Sequence, residues 1–209
     1  MAIFIDSAQP DDARRAQALG FVKAVTTNPT LIAEVGRPGL EVLAELLGVY
    51  DGPVFYQVTA PTVEGCVAQA WEAHQLGPGR VVIKIPAMTE NLRIVPRLPG
   101  IETCITAAFS PAQAYLAAQA GARYVALYVN RATRLLGDGP ALVRETVEVL
   151  KGTETEVLAA SIKSVEEAME VLKAGAHHLT LPLALIEAMG EHPLSQQAAE
   201  AFNRALQAT

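Results

Sequence analysis

Apolar residues in this chain fall into short runs, separated by longer stretches that keep one apolar face. The runs at 3–6, 24–27, 54–58, 81–86, 103–107, 124–129, 157–161 and 179–181 read as strands. They lack the apolar/polar alternation of a half-exposed strand, as expected where both faces of a parallel sheet are covered. The intervening stretches carry helix signals. Ser110-Pro111-Ala112-Gln113 combines an N-cap, a proline at the first helical position and a capping-box partner, and Gly121 closes that helix. Ser164 and Glu167 form a second capping box, closed by Gly175. Residues 62–76 keep an apolar face through Val63, Val67, Ala70 and Trp71. The least regular unit is 89–99, where Pro96 and Pro99 must break or kink a helix.

Strands alternating with helices leave two architectures, a closed barrel or an open doubly wound sheet. An open sheet that binds nucleotides carries a glycine-rich turn after its first strand. Here that turn is Asp6-Ser7-Ala8-Gln9-Pro10, without glycine. The pattern therefore predicts an α/β fold, a single (β/α)8 TIM barrel over residues 1–209. The length is short for such a barrel, for which ~250 residues is typical. No linker, low-complexity tract or composition break divides the chain.

Composition narrows the function classes. Apolar residues make up 51%, charged residues 18% and aromatics 5%, which fits a packed α/β protein and excludes a disordered one. The net charge of −6 offers no basic face for nucleic acid or an anionic membrane. Cys66 and Cys104 have no CxxC spacing and read as reduced thiols. Met1-Ala2-Ile3-Phe4-Ile5-Asp6 runs straight into the first strand with no charged leader, and no segment reaches the ~20 apolar residues of a membrane span. The expectation is a soluble, cytoplasmic protein.

In a barrel, polar residues at the C-terminal ends of strands are the candidates for chemistry. Asp6, Thr26, Asn28, Gln57, Lys84, Thr106, Tyr128, Arg131, Ser161 and Lys163 all fall in or just after the predicted strands. Most have a plain structural explanation. Asp6 can cap the next helix, and Asn28-Pro29 is an ordinary turn initiator. Tyr128 can be a core aromatic with its hydroxyl satisfied, and Thr106 is a common strand residue. Gln57 alone means little, and Arg131 and Lys163 can be solvated loop charges.

Lys84 is different, because it interrupts the apolar run Val81-Val82-Ile83-Lys84-Ile85-Pro86. A lysine buried there is costly unless paired or neutral. One reading is an ion pair with an inward carboxylate such as Asp6. The other is a desolvated amine that gives up its proton readily, attacks a ketone and forms a Schiff base. The resulting iminium draws electrons from the neighbouring C–C bond. Such chemistry needs a proton shuttle, a base for the departing hydroxyl and a phosphate anchor. Asp6, Tyr128 and the Arg131/Lys163 pair can fill those roles. A metal-dependent route lacks a ligand cluster: His74, His177, His178 and His192 form no HxH or HExxH. GxSxG and P-loop patterns are also absent.

With these residues placed, the chain resembles the transaldolase family, and especially its short members, the fructose-6-phosphate aldolases. The likeness rests on Phe4-Ile5-Asp6-Ser7, on the specific TTNP segment Val25-Thr26-Thr27-Asn28-Pro29-Thr30-Leu31-Ile32, and on Val82-Ile83-Lys84-Ile85-Pro86. Ser110-Pro111-Ala112-Gln113-Ala114, Ala159-Ala160-Ser161-Ile162-Lys163 and Leu179-Thr180-Leu181-Pro182 extend it over nearly the whole chain. The resemblance implies a Schiff base on Lys84, with Asp6, Gln57, Thr106 and Tyr128 catalytic. It places Thr26, Asn28, Ala126 and Ser161 against substrate and Arg131 and Lys163 on its phosphate, without metal or cofactor. The implied partners are sugar phosphates and dihydroxyacetone. The implied assembly is a homo-oligomer, pentameric or decameric, with the last helix (about 193–207) on a neighbouring subunit. Leu194, Ala198, Ala201, Phe202 and Ala205 suit that packing, and equally suit the chain's own core.

Within the family, transaldolases usually carry glutamate in the third strand and serine and phenylalanine in the sixth. Here the residues are Gln57, Ala126 and Tyr128, the aldolase pattern. Cys104 matches neither group, and Leu127 stands where both have proline, so both are expected to alter the walls of the site. The proline-broken 89–99 segment is a further departure. The expected function is a class I aldolase that cleaves or forms fructose 6-phosphate from dihydroxyacetone and glyceraldehyde 3-phosphate. The alternative is a transaldolase moving a dihydroxyacetone unit between sugar phosphates in the pentose phosphate pathway. A different class, a non-catalytic sugar-phosphate-binding barrel, requires Lys84 in a structural ion pair.

Overall fold

The computed structural model describes residues 1–207. Its strands are β1 (Ala2–Asp6), β2 (Val22–Thr26), β3 (Val54–Gln57), β4 (Val81–Pro86), β5 (Thr103–Ala108), β6 (Tyr124–Tyr128), β7 (Glu156–Ala160) and β8 (His178–Leu181). They close in chain order into a barrel, and the parallel pairing of β8 with β1 seals it. Parallel neighbours require crossovers. These are α1 (Pro10–Leu19), α2 (Pro29–Val35), α3 (Gly39–Val49), α4 (Val63–Leu76), the 3₁₀ segment Asn91–Arg97, α5 (Pro111–Gln119), α6 (Val129–Leu136), α7 (Gly139–Val149) and α8 (Val165–Lys173), while α9 (Leu183–Met189) comes after the last strand. The last helix, α10 (Pro193–Gln207), follows α9. No described helix is long and apolar enough to cross a membrane.

The capping signals act as expected, with one extension. Ser110 Oγ accepts from the Gln113 amide at 3.2 Å, and Ser164 Oγ from the Glu167 amide at 3.1 Å. The partner side chains reach one residue further back, to the amides of Phe109 (2.8 Å) and Lys163 (2.7 Å). Each box thereby ties down the loop residue that precedes its helix. Gly121 and Gly175 take the left-handed conformation that ends the helices before them, at φ 91° and 101°.

Two expectations need correction. The face α4 buries is Val63, Cys66, Ala70 and Ala73, while Trp71 stays 37% exposed. The two alanines let the helix lie close to the strands, and an indole does not fit that gap. Trp71 packs edge-on against His74 instead. Second, α10 buries no residue in this chain, so its apolar positions do not serve the chain's own core. The 3₁₀ segment contains Pro96, as the proline-broken pattern required.

Strand parity separates two cores. Ile5, Val25, Val54, Ile83, Ile105, Val125, Val157 and Leu179 point outward and pack beneath the helices. Phe4, Ala24, Phe55, Val82, Cys104, Ala126 and Leu158 point inward and fill the barrel. The Phe4 ring lies 5.5 Å from Phe55 and stacks at 4.9 Å on His178, closing the barrel from below. Near His178, Glu156 bonds the His178 ring at 2.7 Å and Arg123 at 3.0 Å.

Candidate active site

Two residues beyond the inward apolar layer, the same parity brings Asp6, Thr26, Gln57, Lys84, Thr106, Tyr128 and Ala160 to one level at the C-terminal end of the barrel. β8 adds Thr180. Register supports this, since Gln57 stands beside Lys84 across β3 and β4.

Lys84 is only 5% exposed. Its Nζ donates to the Thr27 carbonyl at 2.7 Å and forms no ion pair with a described residue. The ion pair with Asp6 is therefore absent. Asp6 instead accepts from Thr26 Oγ1 at 2.8 Å, and Thr26 Oγ1 lies 2.6 Å from Thr180 Oγ1. If Thr26 donates to the carboxylate, Thr180 donates to Thr26, and the file of hydroxyls orients Asp6. Nor does Asp6 cap the next helix: the N-cap of α1 is Gln9, with no side-chain bond. Asn28 does cap, since its Oδ1 accepts from the Leu31 amide at 3.0 Å. That bond uses the amide oxygen and leaves the Nδ2 protons for a ligand.

Above this level opens a cavity of about 530 Å³. Of the predicted site residues, Asp6, Asn28, Gln57, Lys84, Ala126, Tyr128, Arg131, Ser161 and Lys163 line it. Thr26 and Thr106, at the same level, are almost wholly buried and do not, and the Thr106 hydroxyl has no hydrogen-bond partner among the described residues. Cys104 faces inward but belongs to the apolar layer below, where burial pushes its thiol up to about 12. Leu127 points to the outer core. Neither forms part of the cavity wall, contrary to expectation: parity puts Leu127 outside, and Cys104 is fully covered within the inward layer.

Arg131 and Lys163 are exposed at the mouth and form no ion pair with a described residue. The Arg131 guanidinium lies 5.1 Å from the centre of the Tyr128 ring, and Phe109 meets that ring edge-on at 5.9 Å. The phenol is thus held between a cation and an aromatic edge.

Sequence reasoning missed several lining residues. Thr180 is a polar residue inside a short strand, and the parity rule applied to β8 finds it. Ala107 and Ser161 adopt left-handed backbone conformations, at φ 56° and 62°. Ala107 sits where the pairing of β5 with β6 slips between Ile105 and Ala108. Strain at non-glycine residues concentrates at functional sites, but an alanine carries no sequence signal for it. Thr30, Leu31 and Glu34 enter because α2 lies along the mouth.

Residues 3–209 match the family described as Transaldolase/Fructose-6-phosphate aldolase. A probable transaldolase of Desulforudis audaxviator is 43% identical over 199 residues, covering 93% of this chain and 92% of the relative. One from Symbiobacterium thermophilum is 39% identical over 206 residues, covering 97% and 95%. Among solved structures, a monomeric dihydrodipicolinate synthase variant superimposes with a TM-score of 0.66 at 14% identity, over 90% of this chain and 70% of its own. A mandelate oxidase mutant does so at 0.63 and 16%, over 87% of this chain, which spans only 64% of the oxidase. Those two likenesses concern the barrel alone. The match over nearly the full length, with relatives near 40% identity, decides the family. The chain belongs to the transaldolase/fructose-6-phosphate aldolase family and is an enzyme of its Schiff-base aldolase/transaldolase type.

Proposed function

We propose that this protein is a class I aldolase that cleaves or forms fructose 6-phosphate through a Schiff base on Lys84. The observation that carries the reading is the Lys84 amine, buried without a counter-charge at the base of a polar cavity. The amine adds to the ketose carbonyl at C2, and loss of water leaves an iminium. Asp6 takes the proton of the C4 hydroxyl, the C3–C4 bond breaks, and glyceraldehyde 3-phosphate departs. The bonding pair moves into the iminium and forms an enamine. Protonation at C3 and addition of water then release dihydroxyacetone and free the amine.

Tyr128 serves as proton donor, since a phenol donates where phenylalanine does not. Gln57 and the unpartnered Thr106 hydroxyl hold the water. Thr26, Asn28, Ala126 and Ser161 shape the donor subsite, and Arg131 and Lys163 anchor the phosphate as fork and point charge. A second reading is favoured by the relatives, both named probable transaldolases: the enamine waits for an acceptor aldehyde rather than a proton. Assaying fructose 6-phosphate cleavage with and without erythrose 4-phosphate separates the two. Free dihydroxyacetone without acceptor supports the aldolase, and cleavage that requires the acceptor makes the protein a transaldolase. The exposed α10, with Leu194 and Phe202 bare in the single chain, supports assembly into a homo-oligomer. Light scattering tests that, and a monomer ends it.

A further inference from the structure

Glu34 lines the cavity, yet the chemistry above gives it no task. It stands near the end of α2, exposed, and its side chain makes neither an ion pair nor a hydrogen bond to a described residue. Its position follows from the topology. In a barrel closed in chain order, β2 and β6 are four strands apart and therefore opposite each other. Glu34 follows β2, Arg131 follows β6 and Lys163 follows β7. The mouth is thus polarised, with two cations on one side and a carboxylate across from Arg131. Lys84, on β4, lies between the two sides and deeper.

A ketose joined to Lys84 through C2 has two ends. The end that carries the terminal phosphate extends toward Arg131 and Lys163. The C1 end then lies on the other side, with Asn28 and beyond it Glu34. A hydroxymethyl group there is neutral. A phosphate there brings about −1.5 to −2 charges toward a carboxylate that no described cation pairs with. We propose that Glu34 is a specificity-determining residue that turns away ketoses phosphorylated at C1, so that the site takes an unphosphorylated three-carbon donor end. The proposal rests on the Schiff-base reading above and adds to it the residue that selects against a C1 phosphate.

Because Glu34 is exposed, the repulsion is screened over a Debye length of about 8 Å at physiological salt, so a roughly three- to tenfold discrimination is expected at low ionic strength. The test compares the full-length protein with E34Q and E34K. It reads the ratio of kcat/KM for fructose 1,6-bisphosphate to that for fructose 6-phosphate, at low and high salt. Where the bisphosphate turns over too slowly, the borohydride-trapped fraction supplies the same ratio. The ratio should rise roughly three- to tenfold in E34Q and further in E34K, and the gain should shrink as salt rises. A ratio unmoved in both variants overturns the assignment, as does a gain indifferent to salt, which would reflect cavity shape. Borohydride with fructose 6-phosphate runs alongside on the wild type. If the Lys84 peptide gains no mass, the Schiff-base reading fails and takes this inference with it. If it gains mass while the ratio stays put, the role of Glu34 alone is refuted.

Discussion

Replacing Lys84 with methionine tests the site and the core together. Methionine is unbranched and similar in volume, so it fills the same space. What leaves is the amine and its 2.7 Å bond to the Thr27 carbonyl. A hydrogen bond from a charged group contributes about 1.5–3 kcal/mol. Against that, holding the amine out of water without a counter-charge from a described residue costs several kcal/mol, and Lys84 is 5% exposed. The difference favours the variant by about 1–2 kcal/mol. For a chain of this size, each kcal/mol moves Tm by about 2–4 °C, so Lys84→Met should melt roughly 2–8 °C higher. Its kcat/KM should fall at least about a thousandfold, equal to about 4 kcal/mol of lost transition-state stabilisation. Calorimetry reads the first effect, and a coupled assay for glyceraldehyde 3-phosphate reads the second. A Tm lowered by several degrees refutes the claim that the amine is held at a cost. Turnover close to wild type refutes the Schiff base on Lys84.

Arg131→Ala should raise KM for the phosphorylated partner roughly tenfold to a hundredfold, from the ~1.5–3 kcal/mol of a charged hydrogen bond, and barely touch unphosphorylated donors. An equal loss on both substrate types, read by steady-state kinetics, argues that Arg131 does something else. Tyr128→Phe should slow release of free dihydroxyacetone more than transfer to erythrose 4-phosphate, and equal slowing removes the phenol from the proton step. The lower end of the barrel should make stability fall with acid. Burial holds the His178 imidazole below its ordinary 6.5. Burial pushes the Glu156 carboxyl up, but the His178 hydrogen bond and the Arg123 charge outweigh it and hold the group below 4.5. Both groups are depressed, so the unfolded chain binds more protons. Their stabilisation is complete above about pH 6.5, begins to be lost below it through His178, and is lost further below 4.5 through Glu156. Urea melts between pH 7.5 and 4 show this as a falling midpoint; a flat or rising midpoint counts against it.

The order of strands and helices was legible in the sequence because both signals are local. Gly121, Gly175 and the serines at 110 and 164 act within one turn of backbone. A lysine inside Val81–Pro86 announces itself by its cost alone. Parity along each strand nearly determines the site as well, since Asp6, Gln57, Lys84 and Tyr128 share one level once the barrel closes. What parity along one strand does not settle is depth, and depth is set by the stagger between neighbouring strands. Packing at that depth leaves Thr26 and Thr106 closed in at the level of Lys84, and Cys104 in the apolar layer below. Nor does a sequence show which hydrogen bond a polar group chooses among several neighbours. Only the assembled barrel gave Asp6 to Thr26 and Thr180, left Lys84 with a carbonyl instead of a carboxylate, and set Glu34 across the mouth from Arg131. Those partners lie tens of residues apart in the chain, and closure of the barrel is what makes them neighbours.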